Sequence, residues 1–198
     1  MLKNVFTNIY NKNLFGGRCK SGFGSDPEHT EQITKELPKF INAYGIKTII
    51  DAPCGEVQYM SEVLDQLNNY EYIGIDIVDD LINKNSEVFK FNKRMSWACR
   101  NIVESELPIG DFLICRDCLV HLDNTNTKLV AAKFKNYKYV ASTNFPGLEK
   151  NIDTNNGNWK PINLIIEPYN FGKPYEVIFD DDFVEGIGEK TLSIWQFR

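Results

Sequence analysis

The stretch Thr48-Ile49-Ile50-Asp51-Ala52-Pro53-Cys54-Gly55-Glu56 constrains this chain most. A β-branched apolar run stops at an acid, then at a Pro and a Gly. An amphipathic segment follows, with Met60, Val63, Leu64 and Leu67 on one face. The pattern predicts a buried strand at 47–51 turning sharply into a helix, which is where an α/β protein places a ligand. The next apolar run, Tyr72-Ile73-Gly74-Ile75, ends at Asp76, 21 residues beyond Gly55. Two strand ends are therefore expected to face one ligand.

The alternation continues downstream. Strands are predicted at 71–76, 95–99, 111–115 and 139–143, with helices at 79–91 and from Asp123 or Asn124 to about 135. Upstream, Ser25-Asp26-Pro27-Glu28 has a capping-box pattern, and Ile33, Leu37, Phe40, Ile41 and Tyr44 follow at helical spacing, with Pro38 as a kink and Gly45 as the stop. After Pro146 the pattern changes to a polar loop and a Pro- and Asn-rich passage. Two closing strands, 175–179 and 191–197, flank a loop with Gly186 and Gly188, which suits an antiparallel hairpin beside a parallel sheet. Residues 1–198 are expected to form one α/β domain, since this length supports a single substantial core. No period persists over 1–25, whose glycine-rich end at 16–25 reads as a frayed terminus or as a lid over a ligand.

A net charge of −5 argues against a protein that holds nucleic acid through its overall field; a small polar substrate is the expected partner. No segment reaches the roughly 18 apolar residues of a membrane span, and the amino terminus lacks an apolar signal core, so a cytoplasmic location is expected. Five cysteines, at 19, 54, 99, 115 and 118, read as reduced core thiols. Cys115 and Cys118 have metal-ligand spacing, but no second pair follows and His121 is the only nearby histidine. No metal is expected.

A dinucleotide fingerprint uses three glycines so that pyrophosphate can rest on bare helix amides. Only Gly55 is present here, Glu56 puts negative charge where the phosphate belongs, and Pro53 removes a donor. An acid-framed turn suits a ligand with an ammonium and a sulfonium instead, and Asp76 can accept hydrogen bonds from ribose hydroxyls. S-adenosylmethionine has all three features. A nicotinamide oxidoreductase is disfavoured by the same residues.

Five segments carry a resemblance in order: Ser21-Gly22-Phe23-Gly24-Ser25, Asp51-Ala52-Pro53-Cys54-Gly55, Tyr72 to Ile77, Cys115 to Leu122, and Asn151-x-Asp153-x-x-x-Gly157-x-Trp159-x-Pro161-x-Asn163-Leu164. Together the chain resembles the class I, Rossmann-like S-adenosylmethionine-dependent methyltransferases, specifically small bacterial and viral members whose first motif reads D-x-P-C-G. That resemblance implies a three-layer sandwich. It also implies that Asp51, Ala52 and Gly55 contact the methionyl part of the cofactor, that Asp76 binds its ribose, and that Ile77 flanks the adenine. Asn101 stands where such enzymes often have an Asp that meets the adenine amine, and an amide oxygen can still accept that bond. Asp117 follows the fourth strand, where methyl group and substrate meet in this fold.

Methyl transfer needs an aligned acceptor and, for a hydroxyl, a base. Asp117 and His121, four apart, would share one face of a helical turn and could act as that base or grip a polar substrate; the plainer readings are a helix cap and a packing histidine. Arg116 suits either an anionic acceptor or an ion pair with Asp117. Ser21 and Ser25 lie in the candidate lid, and Asn144, Asn151, Asp153, Trp159 and Asn163 are candidates for the acceptor wall. Trp159 and Tyr169 could stack on a sugar or simply pack, and His29 is expected to be solvated. The reading is O-methylation of a polar small molecule, a sugar or surface-polysaccharide precursor. Two rivals remain: a silent binding protein on the same fold, and a nucleic-acid methyltransferase using Lys133, Lys135 and Lys138, a run that reads better as a solvated helix end.

Overall fold

Five short strands, β1 Thr48–Asp51, β2 Glu71–Asp76, β3 Met95–Cys99, β4 Phe112–Cys115 and β5 Tyr139–Asn144, run parallel. The closing strands β6 Glu176–Val184 and β7 Gly188–Gln196 form a hairpin, and β7 pairs antiparallel with β5. The sheet order is β3-β2-β1-β4-β5-β7-β6. This computed structural model describes residues 2–197, apart from the side chain at position 181. The expected mostly parallel α/β sheet with an antiparallel C-terminal hairpin is what the chain forms.

Strand pleating assigns the two faces, because successive side chains alternate. Ile49, Phe112, Ile114, Tyr139, Ala141, Leu192 and Ile194 bury against helices α2 Glu31–Ala43, α3 Gln58–Asp65 and α4 Asp79–Val88. Their neighbours Ile50, Leu113, Cys115, Val140 and Trp195 face the other way, onto helix α5 Asn124–Ala131, the Phe134 turn and the loop carrying Ile162 and Leu164. That gives three layers. The strand order reverses between β1 and β4, so the carboxyl ends of β1, β2 and β4 open onto one crevice, the position where such sheets hold ligands.

Several sequence expectations need correction, among them the helix expected at 79–91, which ends at Val88. The segment 1–25 begins with helix α1 Leu2–Lys12 rather than irregular chain, and α1 is pinned to the body by the Lys3–Asp79 ion pair at 2.6 Å. The Ser25-Asp26-Pro27-Glu28 box does not start a helix. Two one-turn 3-10 segments, Phe23–Ser25 and Pro27–His29, intervene, Asp26 is buried and accepts from the Arg18 N–H at 2.8 Å, and α2 starts at Glu31. Pro38 is accommodated within α2. Helix α5 ends at Ala131, since its Ala132 cap is followed by a separate turn at Phe134–Asn136. Finally, β6 continues to Val184 through a register break between Phe179 and Phe183, which carries Asp180 and Asp182 back toward the crevice.

Candidate functional site

The turn after β1 is held from both sides. The Ala52 N–H donates to the Ile114 carbonyl of β4 and the Cys54 N–H to the Ile75 carbonyl of β2, each at 2.9 Å. Gly55 then adopts φ +53°, and a side chain there would strike Ser21 Oγ at 2.6 Å. Glycine is needed on both counts. The Asn85 amide donates to the Gly55 carbonyl at 2.7 Å, and the Gly55 N–H reaches Asp76 Oδ2 at 3.3 Å. Asp76 Oδ1 accepts from the Val78 N–H at 3.1 Å. The Ile77 N–H also acts on this carboxylate, and three backbone donors leave part of its acceptor capacity for a ligand. Burial holds the Asp76 carboxyl above its ordinary range, against those backbone donors.

A cavity opens at these strand ends. Gly55, Asp76, Ile77, Asn101, Asp117 and His121 all line it, as do Ser21, Ser25 and Arg116. Two predicted contacts differ. Ala52 is fully buried and Asp51 nearly so, and neither lines the cavity. Asp51 lies beneath the turn, where the Tyr72 hydroxyl donates to Oδ2 at 2.7 Å while Oδ1 has no partner. Desolvation pushes its carboxyl up to about 7, with the Tyr72 hydrogen bond pulling the other way. Asn101 Oδ1, predicted to meet an adenine amine, accepts from the Val103 N–H at 3.0 Å.

The roof is the part that sequence reasoning missed. Leu2, Phe6, Ile9 and Tyr10 of α1, together with Phe15, line the cavity. Their spacing of four, three and one residues is a helical face legible in the sequence. Glu56 ties this roof to the turn: its carboxylate accepts from the Tyr10 hydroxyl at 3.1 Å and from Lys84 at 2.7 Å, while its N–H donates to Ser21 Oγ at 2.6 Å. Glu56 thus fastens the lid from outside the cavity.

At the end of β4 the side chains are paired. Asp117 sits at φ +49°, held by its N–H to Thr143 Oγ1 at 2.7 Å and by the Thr143 hydroxyl to Oδ1 at 3.1 Å. Lys190 of β7 meets Asp117 Oδ2 at 2.9 Å and Arg116 meets it at 3.3 Å. Burial alone would raise the Asp117 carboxyl, but Lys190 and Arg116 outweigh it and hold it well below the usual range. Arg116 grips both oxygens of the buried Asp180 and donates to the Gly24 carbonyl at 2.6 Å; of its two expected roles, the ion pair with Asp117 is the one formed. Lys190 also meets Asp182 at 3.0 Å, and His29, expected in solvent, pairs with Asp182 and packs on Phe23.

His121 differs from these neighbours. It ends a 3-10 turn, Leu119–His121, rather than sharing an α-helical face with Asp117, and the two Asp117 oxygens are taken by Thr143, Lys190 and Arg116. Phe15 stacks on its ring with centroids 4.1 Å apart. Burial keeps the imidazole below its ordinary value, against the pull of Asp117, and Nδ1 has no partner among the described residues. A neutral ring with a free lone pair can take a proton.

The predicted acceptor wall lies elsewhere. Asn144 is fully buried and accepts from the Leu164 N–H at 2.7 Å. Asn151 and Asn163 cross-brace one loop, the Asn163 N–H reaching Asn151 Oδ1 at 2.8 Å. Asp153 caps Asn124 at 2.7 Å, Trp159 packs edge-on against Phe145, and Tyr169 donates to Asn124 at 3.3 Å. None of these six lines the cavity. Cys115 and Cys118 are buried free thiols.

No protein-family model and no curated protein matches the chain. Solved structures do. An O-methyltransferase family protein from Burkholderia thailandensis superposes with a TM-score of 0.64 at 16% identity, over 95% of this chain and 63% of that one. The chain thus spans less than two thirds of that protein. Magnesium protoporphyrin IX methyltransferase from Synechocystis PCC 6803, with bound SAH, gives 0.68 at 10% identity over 98% of each chain. The fold is that of the Rossmann-like methyltransferases. N-methyltransferase NodS from Bradyrhizobium japonicum WM9 gives 0.63 at 12% identity, over 87% of this chain and 98% of that one. Within this fold, the crevice at the β1–β4 reversal is built from the turn, Asp76 and the loop after β3. Among the described residues no helix is long and apolar enough to cross a membrane.

Proposed function

We propose that this protein is an S-adenosylmethionine-dependent methyltransferase that methylates a hydroxyl of a polar small molecule. The observation that carries the reading is Asp76, a buried carboxylate with acceptor capacity beyond its backbone donors, facing an acid-framed turn with a single glycine. The residues present fit the cofactor. Asp76 suits the ribose hydroxyls, Ile77, Val78, Leu81 and Val103 offer an apolar slot for the adenine, and the partnerless Asp51 Oδ1 supplies negative potential beneath the turn toward the ammonium.

The cofactor would supply an electrophilic methyl group on sulfur. The chain must orient the acceptor, exclude water and remove a proton. His121 suits the proton removal better than Asp117, because Asp117 is neutralised by Lys190 and Arg116 and is a weak base. Asp117 and Ser25 remain to orient a polar acceptor, and the apolar roof of α1 excludes water. A sugar or surface-polysaccharide precursor is the acceptor class that the family resemblance favours. The five free cysteines support a reducing compartment, hence the cytoplasm.

Incubation with methyl-labelled cofactor and a panel of sugars, nucleotide sugars, phenols and amines tests the proposal. Label in a hydroxyl-bearing product is expected, and its loss in His121→Asn assigns the base. Cofactor binding without turnover on any acceptor would instead favour a silent binding protein.

A further inference from the structure

Lys133 lies just beyond α5, in a run that reads from the sequence as a solvated helix end. Its ammonium is instead turned inward. Nζ donates to three backbone carbonyls, Ile102 at 2.6 Å, Val103 at 2.9 Å and Ser105 at 2.7 Å, which uses all three of its donors. Among the described residues no carboxylate is in ion-pair contact with it.

Those carbonyls belong to the loop that leaves β3. The loop has no strand or helix to satisfy its backbone. It is folded back on Asn101, whose carbonyl accepts from the Glu104 and Ser105 N–H groups at 3.2 and 2.8 Å and whose side chain accepts from Val103. This fold-back aims three carbonyl dipoles at one point. Without a cation there, they would repel each other and stay unsatisfied. A neutral donor could serve one or two of them, whereas an ammonium serves all three.

The same loop presents Asn101, Ile102 and Val103 to the cavity, beside Asp76 and Ile77, and the Arg100 N–H joins it to the Asp76 carbonyl at 2.8 Å. We propose that Lys133 is a positioning residue for the base-binding end of the cofactor site, closing the 101–105 loop into the shape that receives an adenine. The inference rests on the methyltransferase reading. It also removes Lys133 from any surface track for nucleic acid.

The test is calorimetric titration of the full chain with S-adenosylhomocysteine and with its 6-oxo analogue S-inosylhomocysteine. The wild type should bind the adenine compound more tightly. Lys133→Met, which keeps the stem and removes the donors, should weaken that binding about tenfold and narrow the preference between the two bases. A role confined to stability would lower Tm and leave the ratio of the two Kd values unchanged. In Lys133→Ala, added propylammonium should restore part of the lost affinity; this arm also serves if the methionine variant does not fold. Unchanged affinity and preference in Lys133→Met, or no restoration by propylammonium, overturns the role of Lys133. Failure of both variants to fold assigns the residue to the stability of the whole chain and overturns it as well. A wild-type protein that binds neither compound overturns the methyltransferase reading itself.

Discussion

The two halves of the cavity treat their acids in opposite ways. At the ends of β1 and β2, Asp51 and Asp76 are buried with no cation in contact among the described residues, and burial raises both carboxyls. At the end of β4, Asp117 is held by Lys190 and Arg116, and Asp180 and Asp182 are drawn into the same cluster. The first half keeps unspent negative potential, which a cationic, hydroxyl-rich ligand can use. The second has spent its charge internally, leaving His121 as the group with a free site. A half that binds and a half that is pre-formed for chemistry are thus distinguishable by which acids have partners.

The sharpest way to break this contrast is at His121. In His121→Asn, turnover should fall by about 10² to 10⁴, the usual contribution of a general base, with little change in cofactor affinity. In the wild type the base works as neutral imidazole, and burial lowers its pKa, so activity should hold through neutral pH. It should decline only as pH drops below the ordinary value of 6.5. An acid limb above that value, or an unchanged rate in the variant, would reassign the base.

Next is the paired half. Arg116→Met leaves Asp180 buried with Lys190 at 3.4 Å as its remaining cation, and should destabilise the fold by about 3–5 kcal/mol, read by urea unfolding. A change below about 1 kcal/mol would show that Lys190 alone suffices for Asp180 and would erase the contrast.

The unpaired half should respond in the other direction. Asp51 has its carboxyl raised to about 7 from 3.8. Its contribution to stability is therefore full below about 4 and is lost as pH rises through about 7. Asp51→Asn removes that loss, so relative to the wild type the variant should gain stability between pH 4 and 7, by up to about 4 kcal/mol above it, while binding cofactor less well. Unfolding curves with the same pH dependence in both proteins would refute the assignment. The smallest effect is expected at Gly55→Ala, where φ +53° and contact with Ser21 should cost about 1–2 kcal/mol and loosen the lid.

Much of this was legible in the sequence because it rests on local pattern. The strand at 95–99 and the acids closing β1 and β2 follow from apolar runs that stop at a charge. Asp117 and His121 were found by their place after β4. Partners distant in sequence were not legible. Asp180 and Asp182 reach the crevice only through the register break in β6, and Lys190 meets Asp117 across 73 residues. The polar group Asn144, Asn151, Asp153 and Asn163 has the composition of a binding surface, because amides that brace a loop, and an exposed carboxylate that caps a helix end, are the same residue types as those that face a ligand. Helix α1 has an apolar face of Leu2, Val5, Phe6, Ile9 and Tyr10 at helical spacing, but it is a single short helix followed directly by a glycine-rich segment that has the composition of irregular chain.

The central claim is that Asp76 and the single-glycine turn form a site for S-adenosylmethionine, and it is tested most directly by calorimetric titration of S-adenosylhomocysteine into the wild type and Asp76→Ala. A single saturable site is expected in the wild type. Losing two hydrogen bonds to a charged acceptor should weaken it about 100-fold in the variant, with the fold retained by circular dichroism. Absence of binding to the wild type, or equal affinity in the two proteins, would contradict the claim.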